Sequence, residues 1–326
     1  MRRWIEAARV RTLPLSVSGI LVGSLYALAH PTQDVYTPTE VFSWRIFWFA
    51  ILTTLGLQVL SNFANDYGDG IRGTDNLNRI GPQRAIQSGA ITPQAMKTAI
   101  AITAGVTLLF ATLLIYFSFA DTNIGYSIFY FALALLAVAS AIRYTVGNTA
   151  YGYRGYGDMF VFVFFGLVST LGVNFLHSQQ IDLQLLLPAA AIGMLSAGVL
   201  NLNNMRDEAS DKLAGKNTLV VKIGPRKARL YHYFLVGGAM LLVLIFALIY
   251  DETGFSLPQY LFLLAYIPLG LHLYRVSKVT NPVQYDPELK KLAIATFLLA
   301  VLLSFCMVWL FQDITVQTVN AIQQKL

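Results

Sequence analysis

Two stretches hold the residues best suited to chemistry. "NDYGDGIRGTD", residues 65–75, places Asn65, Asp66, Asp69, Arg72 and Asp75 close together. "NNMRDEASDKLAGK", residues 203–216, repeats the theme with Asn203, Asp207, Asp211, Lys212 and Lys216. Residues four apart share a helix face, so Asn65 pairs with Asp69, and Asn203, Asp207 and Asp211 form a triple. Carboxylates gathered at one place (Asp66, Asp69, Asp75, Asp207, Asp211) repel one another unless a cation sits between them. Oxygen-only ligation by carboxylate and amide suits a hard ion such as Mg²⁺, which uses a few carboxylates plus substrate phosphates. Arg72, Arg79, Arg84, Lys212 and Lys216 lie in or beside the same stretches. Arg grips phosphate oxygens through its fork and Lys as a point charge. Acids, metal and cations together point to a diphosphate site. A solvated polar loop explains one such stretch equally well, but two matched stretches poorly. No G-x-S-x-G, activated cysteine or P-loop lysine supplies a nucleophile.

Both stretches close long apolar runs, so the elements that position them are membrane helices. The chain has 326 residues, 56% hydrophobic and only 12% charged, against about 25% charged in soluble domains. Lipid is its solvent. A net charge of +6 does not imply nucleic acid, because basic residues alternate with apolar runs. Cys306 stands alone, which excludes an internal disulfide and a cysteine metal cluster. His30, His177, His232 and His272 show no ligand spacing and suit packing or interfacial positions. The basic, then apolar start imitates a signal peptide. With many spans following and no cleavage site, it reads as a retained first helix.

A crossing helix needs roughly 20 apolar residues. Nine segments qualify: 13–30, 44–65, 95–118, 124–142, 158–177, 183–204, 230–250, 257–275 and 292–312. Thr92 and Pro93 read as N-cap and first residue of the third. Cytoplasmic loops are rich in Lys and Arg. With nine spans, 21 of the 23 Lys and Arg residues fall on the amino-terminal side of the membrane, all but Arg45 and Lys325. The chain is therefore expected to be an all-α integral membrane protein of the cell (inner) membrane. Its amino terminus and acidic stretches face the cytoplasm, and its carboxyl terminus lies outside. The connections bearing the acidic stretches read as long, about 30 and 25 residues, against roughly 2 to 8 between ordinary helices. Arg226, Lys227 and Arg229 read as a topology signal with lipid-headgroup contact. Asp158, after "YGYRGYG", is equally an N-cap or part of the site's rim. The matched Asn-x3-Asp pattern hints at two repeated halves, 1–142 and 143–312, within one transmembrane domain, 1–326.

"NDYGDGIRGTDNLNRIGPQRAIQSGAIT" and "NNMRDEASDKLAGKNTL" resemble the paired Asp-rich motifs of the UbiA superfamily of intramembrane aromatic prenyltransferases. "RTLPLSV" and "RYTVGNTAYGYRGYGD", residues 143–158, are similar to its menaquinone branch. The resemblance covers nearly the whole chain. In the superfamily's NDxxDxxxD pattern, Gly73 stands where the third Asp belongs, and the next acid is Asp75. The second motif fits at Asn203, Asp207 and Asp211.

The resemblance implies nine helices around a central cavity. A polyprenyl diphosphate binds through Mg²⁺ at the Asp motifs, Asn65 and Asn203 included, with its tail in a slot open to membrane lipid. Ionisation leaves an allylic cation, the ring of 1,4-dihydroxy-2-naphthoate attacks it, and carbon dioxide leaves. Departing pyrophosphate needs positive charge, and the allylic cation needs a dry pocket with π faces. Tyr67 and Tyr144 lie at a suitable depth, though the interfacial aromatic belt explains them equally. Arg143 or another cation holds the acceptor carboxylate. Decarboxylation replaces ring deprotonation, so no dedicated base is required. The nearest competitor is a 4-hydroxybenzoate or homogentisate prenyltransferase. A CDP-alcohol phosphotransferase carries its acids in one continuous motif, which is missing here. A secondary transporter places ionisable groups near mid-membrane, where these spans lack charges.

Overall fold

The computed structural model describes residues 2–29, 41–74, 80–120, 122–250 and 257–323. Asp75 and Arg79, both assigned to the site from sequence, lie outside the described residues. Every regular element among the described residues is a helix. In hydrocarbon a backbone must satisfy its own N–H and C=O groups, and the helix does so within one segment.

The elements in order are α1 (Arg2–Ala8), α2 (Leu13–Ala29), α3 (Trp44–Arg72), α4 (Pro93–Phe119) and α5 (Ile124–Arg143). They continue as α6 (Gly157–Ser178), α7 (Leu186–Leu213), α8 (Leu219–Tyr250), α9 (Leu257–Ser277) and α10 (Tyr285–Gln323). Among the described residues, eight helices are long and apolar enough to cross a membrane, and α1 with α2, bent by 52°, makes up to nine. Each expected span has its helix.

The ends differ from expectation. α3 continues to Arg72 and α7 to Leu213, well past the apolar runs that closed near 65 and 204. An apolar run marks contact with lipid, whereas a helix continues until something stops it. Gly73 stops α3: it adopts φ 70°, and the following Thr74 N–H returns to Asp69 O at 3.0 Å. The acidic residues of the two motifs from Asp66 to Asp69 and from Asp207 to Asp211 are thus helical. The second connection is short, residues 214–218, because α7 ends late and α8 begins early; the long loop expected there does not exist.

Thr92 caps α4 as expected, accepting from Ala95 N at 3.2 Å with Pro93 next. α6 is π-helical over Phe162–Gly172, a local widening that recurs at functional sites. α7 is the most buried span and α5 among the least. One apolar cluster joins α2, α7, α8, α9 and α10, and a second joins α1, α3, α4 and α5. A third, around Ile20, Ala50, Ile115, Phe119 and Leu176, closes the end opposite the acidic motifs. Ile128, Leu136, Phe234 and Leu241 are exposed, as an outward surface in contact with lipid requires.

Candidate active site

A cavity of about 350 Å³ runs inside the bundle. Its polar end is lined by Asn65, Asp69, Asn203, Asp207, Asp211 and Lys216. α3 and α7 deliver these groups on single faces, because spacings of four return a side chain to the same side. The two motifs, far apart in sequence, meet at Lys216. Its ammonium lies 3.3 Å from Asp69 Oδ2 and 3.8 Å from Asp211 Oδ1. Lys216 is held there by its own backbone N–H, which donates to Asp211 O at 2.8 Å. Burial alone would lower the Lys216 pKa, but Asp69 and Asp211 outweigh it and hold the ammonium above its ordinary value. It is a fixed positive charge in a dry site.

Tyr153 donates to Asp69 Oδ1 at 2.8 Å and lies 2.5 Å from Thr74 Oγ1. Burial, reinforced by Asp69, raises the Tyr153 phenol, so it stays a donor. Arg206 serves the second motif. Its guanidinium forks onto Asp207 at 2.8 and 2.6 Å, reaches Asn203 Oδ1 at 2.9 Å and pairs with Asp286 at the start of α10. Only 1% of Arg206 is exposed, so this clamp sits where unpaired charge is most costly.

Tyr144 also lines the cavity. Its ring lies against the backbone at Gly152 and Gly157, where an added Cβ would come within 2.9 and 3.0 Å of it. Those glycines of "YGYRGYG" therefore admit the ring. Burial pushes the Tyr144 phenol up to about 12, so it remains neutral. Tyr151 packs edge-on to Tyr144 at 5.3 Å and stacks on Phe160 at 4.0 Å. Leu57, Leu114, Phe164, Phe165, Val168 and Leu176 continue the wall as hydrocarbon. A charged, oxygen-rich head joined to a long apolar chamber suits an amphiphile with an anionic head.

Arg84 lines the cavity. Asp66 is buried but off the lining, and its Oδ2 accepts from Ala85 N at 3.4 Å. Tyr67 packs into the apolar cluster of α1, α3, α4 and α5. One and two positions on from Asn65, these residues turn away around the helix. Lys212 is exposed. Arg143 is exposed and bonds Thr149 Oγ1 at 3.1 Å. Arg72 is exposed too, donates to Gly147 O and covers the Tyr153 ring at 4.2 Å. It touches Asp69 only through Tyr153. Asp158 is no N-cap: Tyr156 holds that position. Asp158 is buried in the first turn of α6, off the cavity lining, and its carboxylate oxygens lack partners.

Sequence reasoning missed Tyr153 and Arg206 as site residues. Tyr153 lies inside the quoted "YGYRGYGD", and Arg206 inside "NNMRDEASDKLAGK". Among the described residues no three His, Cys, Asp or Glu side chains form a metal-holding group. The five carboxylates expected to cluster are thus not gathered into one metal group among the described residues; Mg²⁺ can use one or two carboxylates and complete its shell with water and substrate phosphate. Asp69 and Asp211, with the amides of Asn65 and Asn203, fit such an ion.

The chain matches the model of the UbiA prenyltransferase family over residues 34–285. It is 40% identical to 1,4-dihydroxy-2-naphthoate octaprenyltransferase of Haemophilus influenzae, over 93% of this chain and 95% of the relative. Identity to the Escherichia coli protein of that name is also 40%, over 94% of this chain and 96% of the relative. A solved UbiA homolog from Archaeoglobus fulgidus, bound to DMAPP and Mg2+, superposes with a TM-score of 0.59 at 15% identity. That match covers 94% of this chain and 99% of the other.

Proposed function

Because the chain belongs to the UbiA prenyltransferase family, we propose that it prenylates 1,4-dihydroxy-2-naphthoate. The donor is a polyprenyl diphosphate, pyrophosphate and carbon dioxide are lost, and the product is demethylmenaquinol. One observation carries the choice of acceptor: identity of 40% runs along nearly the whole chain to enzymes named for that reaction. It favours the naphthoate over 4-hydroxybenzoate or homogentisate, and those relatives are named as octaprenyltransferases.

The site residues divide the work. Asp69 and Asp211, with Asn65, Asn203 and Asp207 around them, would hold Mg²⁺; when bound, the ion supplies Lewis-acid charge to the departing diphosphate. Lys216, cationic and buried, offsets the same growing negative charge without reorganisation, and Arg84 adds a second cation at the head. Tyr153 orients Asp69. As the allylic carbon–oxygen bond breaks, pyrophosphate takes the electron pair, and Tyr144, Tyr151 and Phe160 offer π faces to the cation left behind. The apolar wall keeps out water, which would otherwise capture that cation. A ring carbon of the acceptor then forms the new bond, and loss of its carboxyl group as carbon dioxide restores aromaticity. The head faces the cytoplasm of the cell (inner) membrane, with the amino terminus inside and the carboxyl terminus outside. The protein acts as one transmembrane domain of two related halves, 1–142 and 143–312.

The test is purified protein in detergent with Mg²⁺, a polyprenyl diphosphate and one of three acceptors: dihydroxynaphthoate, 4-hydroxybenzoate or homogentisate. Product masses should show prenylated naphthalenediol, with carboxyl label leaving as carbon dioxide in step with product. Turnover of 4-hydroxybenzoate alone, or a product that keeps the label, would reject the naphthoate reading and leave the diphosphate site standing.

A further inference from the structure

The cavity has two unlike walls. One is hydrocarbon, from Leu133, Ala134, Phe164, Phe165 and Val168 of α5 and α6. The other is polar, although it lies within membrane helices. α3 lines the cavity with Thr54, Gln58, Ser61, Asn62, Asn65 and Asp69, a stripe on one helical face that descends from the acidic head. Facing it, the bend between α1 and α2 supplies Arg9 and Thr12, and the first turn of α2 supplies Ser16. The bend is tied to α3 by Asn62 Nδ2, which donates to Ala8 O at 2.9 Å. Arg9 there adopts φ 52°, a left-handed conformation uncommon outside glycine and found where function or tight structure demands it.

Polar side chains inside a membrane bundle are costly and mark function. Lys216, Asp69 and Asp211 account for the upper end of the stripe but not for its depth. Gln58 lies eleven residues before Asp69, about 16 Å lower along the helix axis. Its Nε2 lies 3.5 Å from Thr12 Oγ1, and its Oε1 is buried without a hydrogen-bond partner. An orphaned carbonyl in a dry cavity calls for a donor. The prenyl chain has none. The aromatic acceptor has two phenolic O–H groups.

We propose that this polar wall is the acceptor subsite and that Gln58 Oε1 accepts a hydrogen bond from a ring hydroxyl of the bound dihydroxyarene. The ring then lies between Gln58 and the acidic head, with the prenyl chain against the opposite, hydrocarbon wall. The interval from Asp69 to Gln58 takes a diphosphate and a bicyclic ring in succession. The inference rests on the function proposed above and makes Gln58 a determinant of acceptor recognition.

The experiment compares wild type, Gln58→Met and Gln58→Glu with dihydroxynaphthoate and with each of its two monohydroxy analogues, 1-hydroxy- and 4-hydroxy-2-naphthoate. Wild type should prefer the dihydroxy acceptor over one analogue by on the order of 10²-fold in kcat/KM, since a site built around a hydroxyl rejects its absence. Gln58→Met, similar in size but without the carbonyl, should lose most of that preference, while KM for the prenyl diphosphate stays within about twofold. Gln58→Glu keeps an acceptor oxygen and should keep the preference. Dihydroxynaphthoate binding to the diphosphate-free protein, followed by ligand-induced thermal shift, should weaken in Gln58→Met alone. An unchanged preference in Gln58→Met, or a rise in prenyl diphosphate KM matching the loss, overturns the subsite. A wild type that ignores dihydroxynaphthoate altogether would instead overturn the proposed function.

Discussion

The two acidic motifs look alike in sequence and are wired differently. At the end of α3, Asp69 meets a hydroxyl and an ammonium, Tyr153 and Lys216, both from later parts of the chain. At the end of α7, Asp207 is gripped by its own neighbour, Arg206, through both oxygens, and the same guanidinium fastens Asp286 of α10. A carboxylate in a bidentate guanidinium pair has much of its charge satisfied. Asp69 and Asp211, which share the longer contacts of Lys216, present the more available charge to a ligand. Equal spacing on a helix therefore guarantees a shared face but not a shared role.

The largest expected effect tests that difference directly. Asp69→Asn should lower turnover by on the order of 10³-fold, and Asp207→Asn by clearly less. EDTA should abolish the wild-type rate, with Mg²⁺ restoring it. Initial rates of purified variants decide the matter: equal losses would make the motifs one functional unit, and full activity without metal would end the Mg²⁺ assignment.

The next contrast separates the buried cation from the exposed one. Lys216→Ala should cost on the order of 10²-fold in kcat/KM, a loss of directed positive charge in a dry site. Arg72→Ala, which removes only the cover over Tyr153 and a contact to Gly147, should cost a few-fold. The Lys216 ammonium is held above its ordinary value, so its ion pairs with Asp69 and Asp211 are intact below the usual lysine range. They are lost only as pH rises through the elevated value. An alkaline limb of the rate profile near neutrality thus cannot come from Lys216, and finding it abolished in Lys216→Ala would contradict this.

The third effect falls on stability rather than rate. Arg206→Met takes the bidentate guanidinium away from buried Asp207, and breaking such a pair costs about 3 to 5 kcal/mol. A lowered midpoint of thermal unfolding in detergent should accompany the loss. The double variant Arg206→Met with Asp207→Leu should recover part of it. If the single variant melts like wild type, the clamp contributes nothing and the contrast between the motifs narrows to Lys216 alone.

Much of this protein was legible from composition and spacing. Runs of apolar residues long enough for a bilayer allow only helices, so the spans could be placed. Spacings of four identified Asn65, Asp69, Asn203, Asp207 and Asp211 as inward groups, because helical periodicity is local. Helix ends were less legible: Arg72 and Leu213 lie in polar sequence, and the stop signal at Gly73 depends on a backbone conformation. Partners were not legible at all. Nothing local distinguishes Arg206 on Asp207 from Arg143 on Thr149, or tells that Asp66, beside Asn65, faces Ala85. Lys216 stands 147 residues from Asp69, and Tyr153 was one tyrosine among 17. Local sequence determined which side chains share a face and which segments must be helical. Only the tertiary arrangement, with α2 packed against both α3 and α7, and the loop around Tyr153 decided which charges meet, since distances between elements are set by contacts distributed over the whole bundle.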